Sequence, residues 1–342
     1  MKLFSILMLI TVLAVSCQPK QETAPVQETN ETSATEPFVE RMDPALDQVI
    51  SKEVVVEVLA EGFDWTEGPL WLEEEGKLIF SDIPPNTIYS WSEEDGKQVF
   101  LTPSGYTGEA ARGGEVGSNG LLLSPDGRLV LCQHGDRRIA EMDGSLGSPT
   151  PEYITLVDNY QGKKLNSPND ATYSSNGDLY FTDPPYGLEK NVDDPLKELD
   201  FQGVYKLGQD GGVSLLTDQM TRPNGIALSN DETKLYVANS DPQKALWMEF
   251  GVLENGTLDE GRVFYDATEW VGKTKGLPDG LKVHPSGNVF ATGPGGVWIF
   301  NQQGEPIGIV RTGQATSNCA FGNDYQYLYI TADMYLMRVS LI

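Results

Sequence analysis

Six side chains recur at equivalent places in this sequence, and their types suit the capture of a hard cation. Glu67, Asn119, Asn169, Asn224, Asp279 and Asn318 stand in the signatures Glu67-Gly68-Pro69, Ser118-Asn119-Gly120, Pro168-Asn169-Asp170, Pro223-Asn224-Gly225, Pro278-Asp279-Gly280 and Ser317-Asn318-Cys319. Gathered on one ring, two carboxylates and four amides supply oxygen donors of the kind Ca²⁺ and Mg²⁺ prefer, and mixing neutral with charged oxygens limits their mutual repulsion. Asn or Asp before Gly is also a common turn former, so for Asn119 and Asn318 the two readings are balanced. Glu is not favoured in turns. Glu67 is therefore the stronger signal, and Asp279 and Asn224 share its register.

Other catalytic designs fail on inventory. The chain has two histidines, His134 and His284, and no G-x-S-x-G elbow, which disfavours a Ser-His-Asp hydrolase. Their unrelated offsets also make a zinc site a poor fit. His134 is a candidate for lining the site or supporting it, against the alternative of a satisfied core residue; His284, just before a turn, reads as structural. The glycines of Thr292-Gly293-Pro294-Gly295-Gly296 are followed by the strand-like Val297-Trp298-Ile299-Phe300, so a phosphate loop is not indicated. Two long loops, Pro103 to Val116 and Tyr186 to Gln202, have the length of pocket-shaping segments. Arg112 in the first is a candidate for a substrate carboxylate or hydroxyl, against a solvated surface arginine.

The elements that must position the ring are legible as repeats. Each signature leads through a hairpin turn, such as Ser124-Pro125-Asp126-Gly127 or Pro285-Ser286-Gly287-Asn288, into an apolar strand. Those strands include Leu78-Ile79-Phe80, Leu129-Val130-Leu131, Leu179-Tyr180-Phe181, Leu235-Tyr236-Val237, Val289-Phe290-Ala291 and Leu328-Tyr329-Ile330. Further β segments follow each pair, giving about four strands per repeat of roughly 50 residues. This predicts an all-β, six-bladed β-propeller over residues 47–342, with the signatures converging at one mouth of its channel. The last copy has room for only three strands. Glu53 to Leu59 is placed to supply the fourth and close the ring, which removes the unpaired edge.

The N-terminus reads differently. Leu3 to Ser16 is an uncharged run too short to span a bilayer, which predicts a signal peptide over residues 1–17. It ends Leu13-Ala14-Val15-Ser16-Cys17, which resembles a lipobox and makes Cys17 the candidate lipidation site, the alternative being an ordinary secretory signal. Residues 18–46 have few large apolar side chains and read as a flexible tether. The expected location is the bacterial cell envelope, periplasm-facing or cell-surface, with the lipid as the only membrane contact. A formal net charge of −26 excludes nucleic acid as a natural partner. Cys132 and Cys319 show no metal or disulfide spacing.

The chain resembles the senescence marker protein/gluconolactonase family, regucalcin and its bacterial gluconolactonase-like members, over about residues 54–340. Thr66-Glu67-Gly68-Pro69-Leu70-Trp71, Phe80-Ser81-Asp82-Ile83-Pro84, Cys132-Gln133-His134-Gly135 and Asn166-Ser167-Pro168-Asn169-Asp170 carry the likeness in the first half. Phe181 to Gly187, Arg222-Pro223-Asn224-Gly225, Leu277-Pro278-Asp279-Gly280 and Asn318-Cys319-Ala320-Phe321 carry it in the second. The resemblance implies that Glu67, Asn224 and Asp279 coordinate one divalent ion, Ca²⁺ foremost with Mg²⁺, Mn²⁺ or Zn²⁺ as substitutes. It implies that Asn169 touches substrate or metal beside them and that Asp279 acts as general base. Asn119, His134 and Arg112 complete the candidate substrate-binding set. The implied reaction is hydrolysis of a sugar lactone, the ion acting as Lewis acid and a carboxylate activating water. The alternatives are cleavage of phosphotriesters or other esters on the same site, and a non-catalytic propeller whose metal supports binding of a ligand or protein.

Overall fold

In the computed structural model, residues 36–342 are described, so the expected signal segment, Cys17 and the first part of the expected tether lie outside the described residues. Six antiparallel sheets, five of four strands and one of five, form the blades of a β-propeller. The first blade is Thr66–Leu72, Lys77–Asp82, Thr87–Ser92 and Gly96–Leu101, ordered from the channel outward. The next four repeat this order, their inner strands being Ser118–Leu123, Ala171–Tyr173, Pro223–Leu228 and Leu281–Val283. The last blade takes Thr316–Gly322, Tyr327–Ala332 and Tyr335–Ser340 from the C-terminus and Glu57–Glu61 from the N-terminal side. Ring closure thus follows the sequence expectation, with the strand beginning at Glu57. Among the described residues the only helices are three short 3₁₀ turns, and none is long and apolar enough to cross a membrane.

The second strand of each blade carries a continuous apolar run because it is buried on both faces. Its side chains alternate between neighbouring blades with the period of two that a pleated strand imposes. Leu78 and Phe80 pack toward the sixth blade, while Ile79 between them packs toward the second. Leu235 and Val237 face the third blade, and Tyr236 and Ala238 face the fifth. The core is accordingly six separate wedges, one per blade junction. The fourth and fifth blades are joined by Trp247, Trp298 and Phe300, with the Trp247 and Phe300 rings edge-to-face at 5.3 Å.

A second set of bonds fixes the inner strands. The hydroxyls of Ser81, Thr182 and Thr292 donate to the carbonyls of Asn119 (2.9 Å), Asn224 (2.6 Å) and Ser317 (2.8 Å) on the next blade. Ser240 does the same to Pro278, and Ser317 to Thr66 at 2.5 Å. Between the second and third blades the backbone N–H of Gly120 donates to the Asn169 carbonyl at 2.8 Å. The inner strands approach so closely here that glycine is required. A Cβ on Gly225 would lie 2.2 Å from the Asp279 carbonyl oxygen, and one on Gly280 2.0 Å from the Asn318 side chain.

The expectation of a tether through residue 46 is corrected. Phe38–Arg41 pairs antiparallel with Pro306–Arg311 as a fifth strand on the fifth blade, and Arg311 Nε donates to Glu40 Oε2 at 2.6 Å. A 3₁₀ turn at Pro44–Gln48 then sinks Leu46 into the junction of the fifth and sixth blades, beside Ile50, Ile307 and Val310. The polar composition concealed this because an edge strand is held mainly by backbone bonds, with one leucine as its anchor. Leu46→Ala should lower unfolding free energy by about 2–5 kcal/mol in a urea titration. A change within about 0.5 kcal/mol, as for a solvated tether residue, would contradict this placement.

Candidate active site

Five of the six ring residues line one cavity of about 460 Å³ at the channel mouth: Glu67, Asn119, Asn169, Asn224 and Asp279. The sixth, Asn318, acts from behind, its Nδ2 donating to Glu67 Oε2 at 3.2 Å. The same Glu67 oxygen accepts from the Gly68 N–H at 2.9 Å, so a contact from the last blade and one from its own strand fix this carboxylate. Asn224 is set by Ser240, whose Oγ accepts from Asn224 Nδ2 at 2.9 Å. Asp279 is carried by its backbone N–H, which donates to the Thr292 carbonyl at 3.0 Å. The loops entering the inner strands are held as well: Asp183 accepts from the N–H groups of Asn166 and Ser167, both at 2.8 Å, and Asn239 Oδ1 accepts from that of Arg222 at 2.8 Å.

The cavity floor carries acidic groups without a cationic partner among the described residues. Glu67 is almost wholly buried, and among the described residues neither it nor Asp279 forms an ion pair with Lys, Arg or His. Burial pushes the Glu67 carboxyl up to about 8 against the two hydrogen bonds it accepts. Asp279 is raised well above the usual carboxylate range, first by burial and then by Glu67, with the Asn224 amide partly counteracting. Asp279 Oδ1 and Asn119 Oδ1 are buried without a hydrogen-bond partner. Polar atoms so placed normally have one, and a divalent ion would meet the need of both while offsetting the paired charges. Glu67, Asp279 and the Asn224 amide, with Asn169 and Asn119 beside them, therefore fit an oxygen-ligated ion such as Ca²⁺.

Residues 65–333 match the family described as SMP-30/Gluconolactonase/LRE-like region. The chain belongs to this family. It is 38% identical over 323 residues to a gluconolactonase of Zymomonas mobilis, covering 93% of this chain and 90% of that protein. The solved structure of a gluconolactonase from Xanthomonas campestris aligns with a TM-score of 0.76 at 30% identity, over 90% of this chain and 95% of its own. A regucalcin from Agrobacterium tumefaciens, a calcium-binding protein, shares the fold with a TM-score of 0.64 at 17% identity, over 84% of this chain and 95% of its own.

Within this SMP-30/gluconolactonase propeller, two residues expected at the site stand elsewhere. Arg112 is not on the cavity: its guanidinium donates to the carbonyls of Gly135 and Gly187 and lies over the Tyr106 ring, tying two loops together. His134 is fully buried and does not line the cavity, but its Nδ1 is 3.0 Å from Oε2 of Glu115, which does. His284 lies away from the cavity against Phe290, Phe321 and Tyr325, as a structural residue should. Sequence reasoning missed Glu115, Tyr186, Arg222 and the wall formed by Val271 to Leu277. Glu115 and Tyr186 do come from the two long loops, so loop length was the available signal. Nothing in residue spacing singled out the third wall.

Removing a buried carboxyl that must either take up a proton or carry an unpaired charge on folding should stabilise the metal-free protein. In chelator, Glu67→Gln should raise unfolding free energy by about 1–3 kcal/mol, while abolishing the stabilisation that added Ca²⁺ gives the parent protein. The pH dependence has a defined sign. Between about 4.5 and about 8 the folded Glu67 holds a proton that the unfolded chain has lost, so stability of the chelated parent should fall as pH rises through that window. Urea titrations at several pH values measure both effects; a destabilised Glu67→Gln in chelator would contradict the charge assignment.

Proposed function

We propose that the chain is a divalent-cation-dependent lactone hydrolase of gluconolactonase type, opening the ring ester of an aldonolactone. The observation that carries this reading is the pair of carboxylates, buried Glu67 and half-buried Asp279, facing one cavity without a cationic partner among the described residues. Its likeness to the Zymomonas gluconolactonase over most of both chains supports the choice of substrate class. A cavity of about 460 Å³ admits a single sugar ring with room for water. The donors are all oxygen, which favours Ca²⁺ over Zn²⁺. When bound, such an ion supplies Lewis-acid polarisation of the lactone carbonyl.

The protein's own groups account for the remaining chemistry. The Asp279 carboxylate accepts a proton from the attacking water as the water oxygen bonds to the carbonyl carbon. The tetrahedral centre collapses with cleavage of the ring C–O bond, the departing ring oxygen takes up a proton, and a hydroxy acid results. Asn169 and Asn119 orient the substrate through amide hydrogen bonds, and Glu67, held by Gly68 and Asn318, fixes the charge opposite Asp279. The uncharged run from Leu3 to Ser16 and Cys17 support export with lipid anchoring in the bacterial envelope, where the substrate would be an extracytoplasmic lactone.

Hydrolysis of D-glucono-1,5-lactone with saturating Ca²⁺ should be metal-dependent, and Asp279→Asn should lower kcat by about 10²–10⁴-fold. A pH-stat assay corrected for spontaneous opening measures this. Full activity in the substituted protein, or no turnover by the parent on a panel of lactones with Ca²⁺, Mg²⁺, Mn²⁺ or Zn²⁺, would overturn the reading.

A further inference from the structure

We infer that Glu115, positioned by His134, recognises the hydroxyls of the substrate, so that this site prefers a polyhydroxylated lactone to a bare one. The inference rests on the lactone-hydrolase reading above and names what selects among lactones. Glu115 lines the same cavity as Glu67 and Asp279, with its side chain 38% exposed. One oxygen, Oε2, lies 3.0 Å from Nδ1 of His134, a ring with no exposed surface. Neither ring nitrogen has a hydrogen bond of good geometry among the described residues. Burying an imidazole in this way is unfavourable unless a polar group is set against it, and the Glu115 carboxylate is that group. Its other oxygen takes no hydrogen bond from the described residues and remains available to the cavity.

A third carboxylate here opposes the first two, adding to the repulsion on both Glu67 and Asp279. Cation binding alone does not call for it. The same cavity is lined by Arg222, whose guanidinium forms no ion pair or hydrogen bond among the described residues, and by the indole of Trp65. An anionic acceptor, a forked donor and an aromatic face together match a polyol ring, whose hydroxyls both donate and accept and whose C–H face is apolar. A ring without hydroxyls would leave Glu115 and Arg222 desolvated and unpaired, which is how a polar site rejects an analogue lacking its hydrogen-bonding groups.

The test compares D-glucono-1,5-lactone with δ-valerolactone, the same ring without hydroxyls, using the full chain with Ca²⁺. Glu115→Gln should lower kcat/KM for the sugar lactone about 30-fold, chiefly through KM, and leave δ-valerolactone within about threefold. His134→Phe should show the same split at smaller size, and Glu115→Asp should recover part of the loss. Equal losses on both lactones, or no loss on either, would overturn the inference. Binding of 1,5-anhydro-D-glucitol, followed by saturation-transfer NMR, provides a readout without turnover. Affinity at least tenfold weaker in Glu115→Gln supports the assignment; equal affinity, or no binding by the parent protein, overturns it. Glu115-dependent binding in a protein that hydrolyses no lactone would count against the hydrolase reading alone and uphold recognition by Glu115.

Discussion

Everything at the channel mouth depends on the pairing of Glu57–Glu61 with Tyr335–Ser340. This contact joins the two ends of the chain in one blade and converts an open fan of sheets into a ring. Glu67 follows the closing strand directly, and its carboxylate is held by Asn318 of the last blade. The Ser317 hydroxyl bonds to the Thr66 carbonyl across the same seam. An open ring would separate Glu67 from both Asn318 and Asp279. The closing strand therefore sustains the fold and the spacing of the charged groups together.

The fold carries an electrostatic burden at its centre. Two acidic groups face one cavity, with Glu115 adding a third charge nearby, and no described cation is paired with Glu67 or Asp279. Deeper in the structure Lys282 lies 3.8 Å from Asp170, so this second buried acid has a compensating charge. The buried Asp82 and Asp183, which also form no ion pair among the described residues, are met by backbone N–H groups of the entering loops, whereas Glu67 and Asp279 face the cavity. The six apolar wedges and the inter-blade hydroxyl contacts stabilise the frame against that repulsion. Such a division, rigid ring and strained centre, suits the cation site proposed above.

Much of this was legible in the sequence because the physical demands are local. A strand buried on both faces carries a continuous apolar run, and six such runs, each after a turn signature, give the blades directly. The ring residues were legible because equivalent positions in repeats converge. Phe38–Arg41 was not, since it is short, set in a polar segment, and its partner strand is some 270 residues away in sequence. Arg112 looked like a ligand for substrate, yet two loop carbonyls, which no spacing rule reveals, hold its guanidinium. Glu115 was hidden for the converse reason: a single acid in a glycine-rich loop acquires meaning only when folding places His134 behind it. The Ser81-Asp82 and Thr182-Asp183 pairs carried readable information, a hydroxyl for the next blade and a carboxylate for the entering loop, that the turn signatures overshadowed.

The central claim is that one divalent ion sits between Glu67 and Asp279. Crystals grown with Mn²⁺ or Ca²⁺ and measured for anomalous scattering test it directly. The account predicts a single peak at the channel mouth within about 2.0–2.6 Å of carboxylate oxygens from both Glu67 and Asp279 and of the Asn224 amide oxygen. A cavity without a peak at saturating metal, or a peak coordinated elsewhere with Glu67 and Asp279 unengaged, would contradict it.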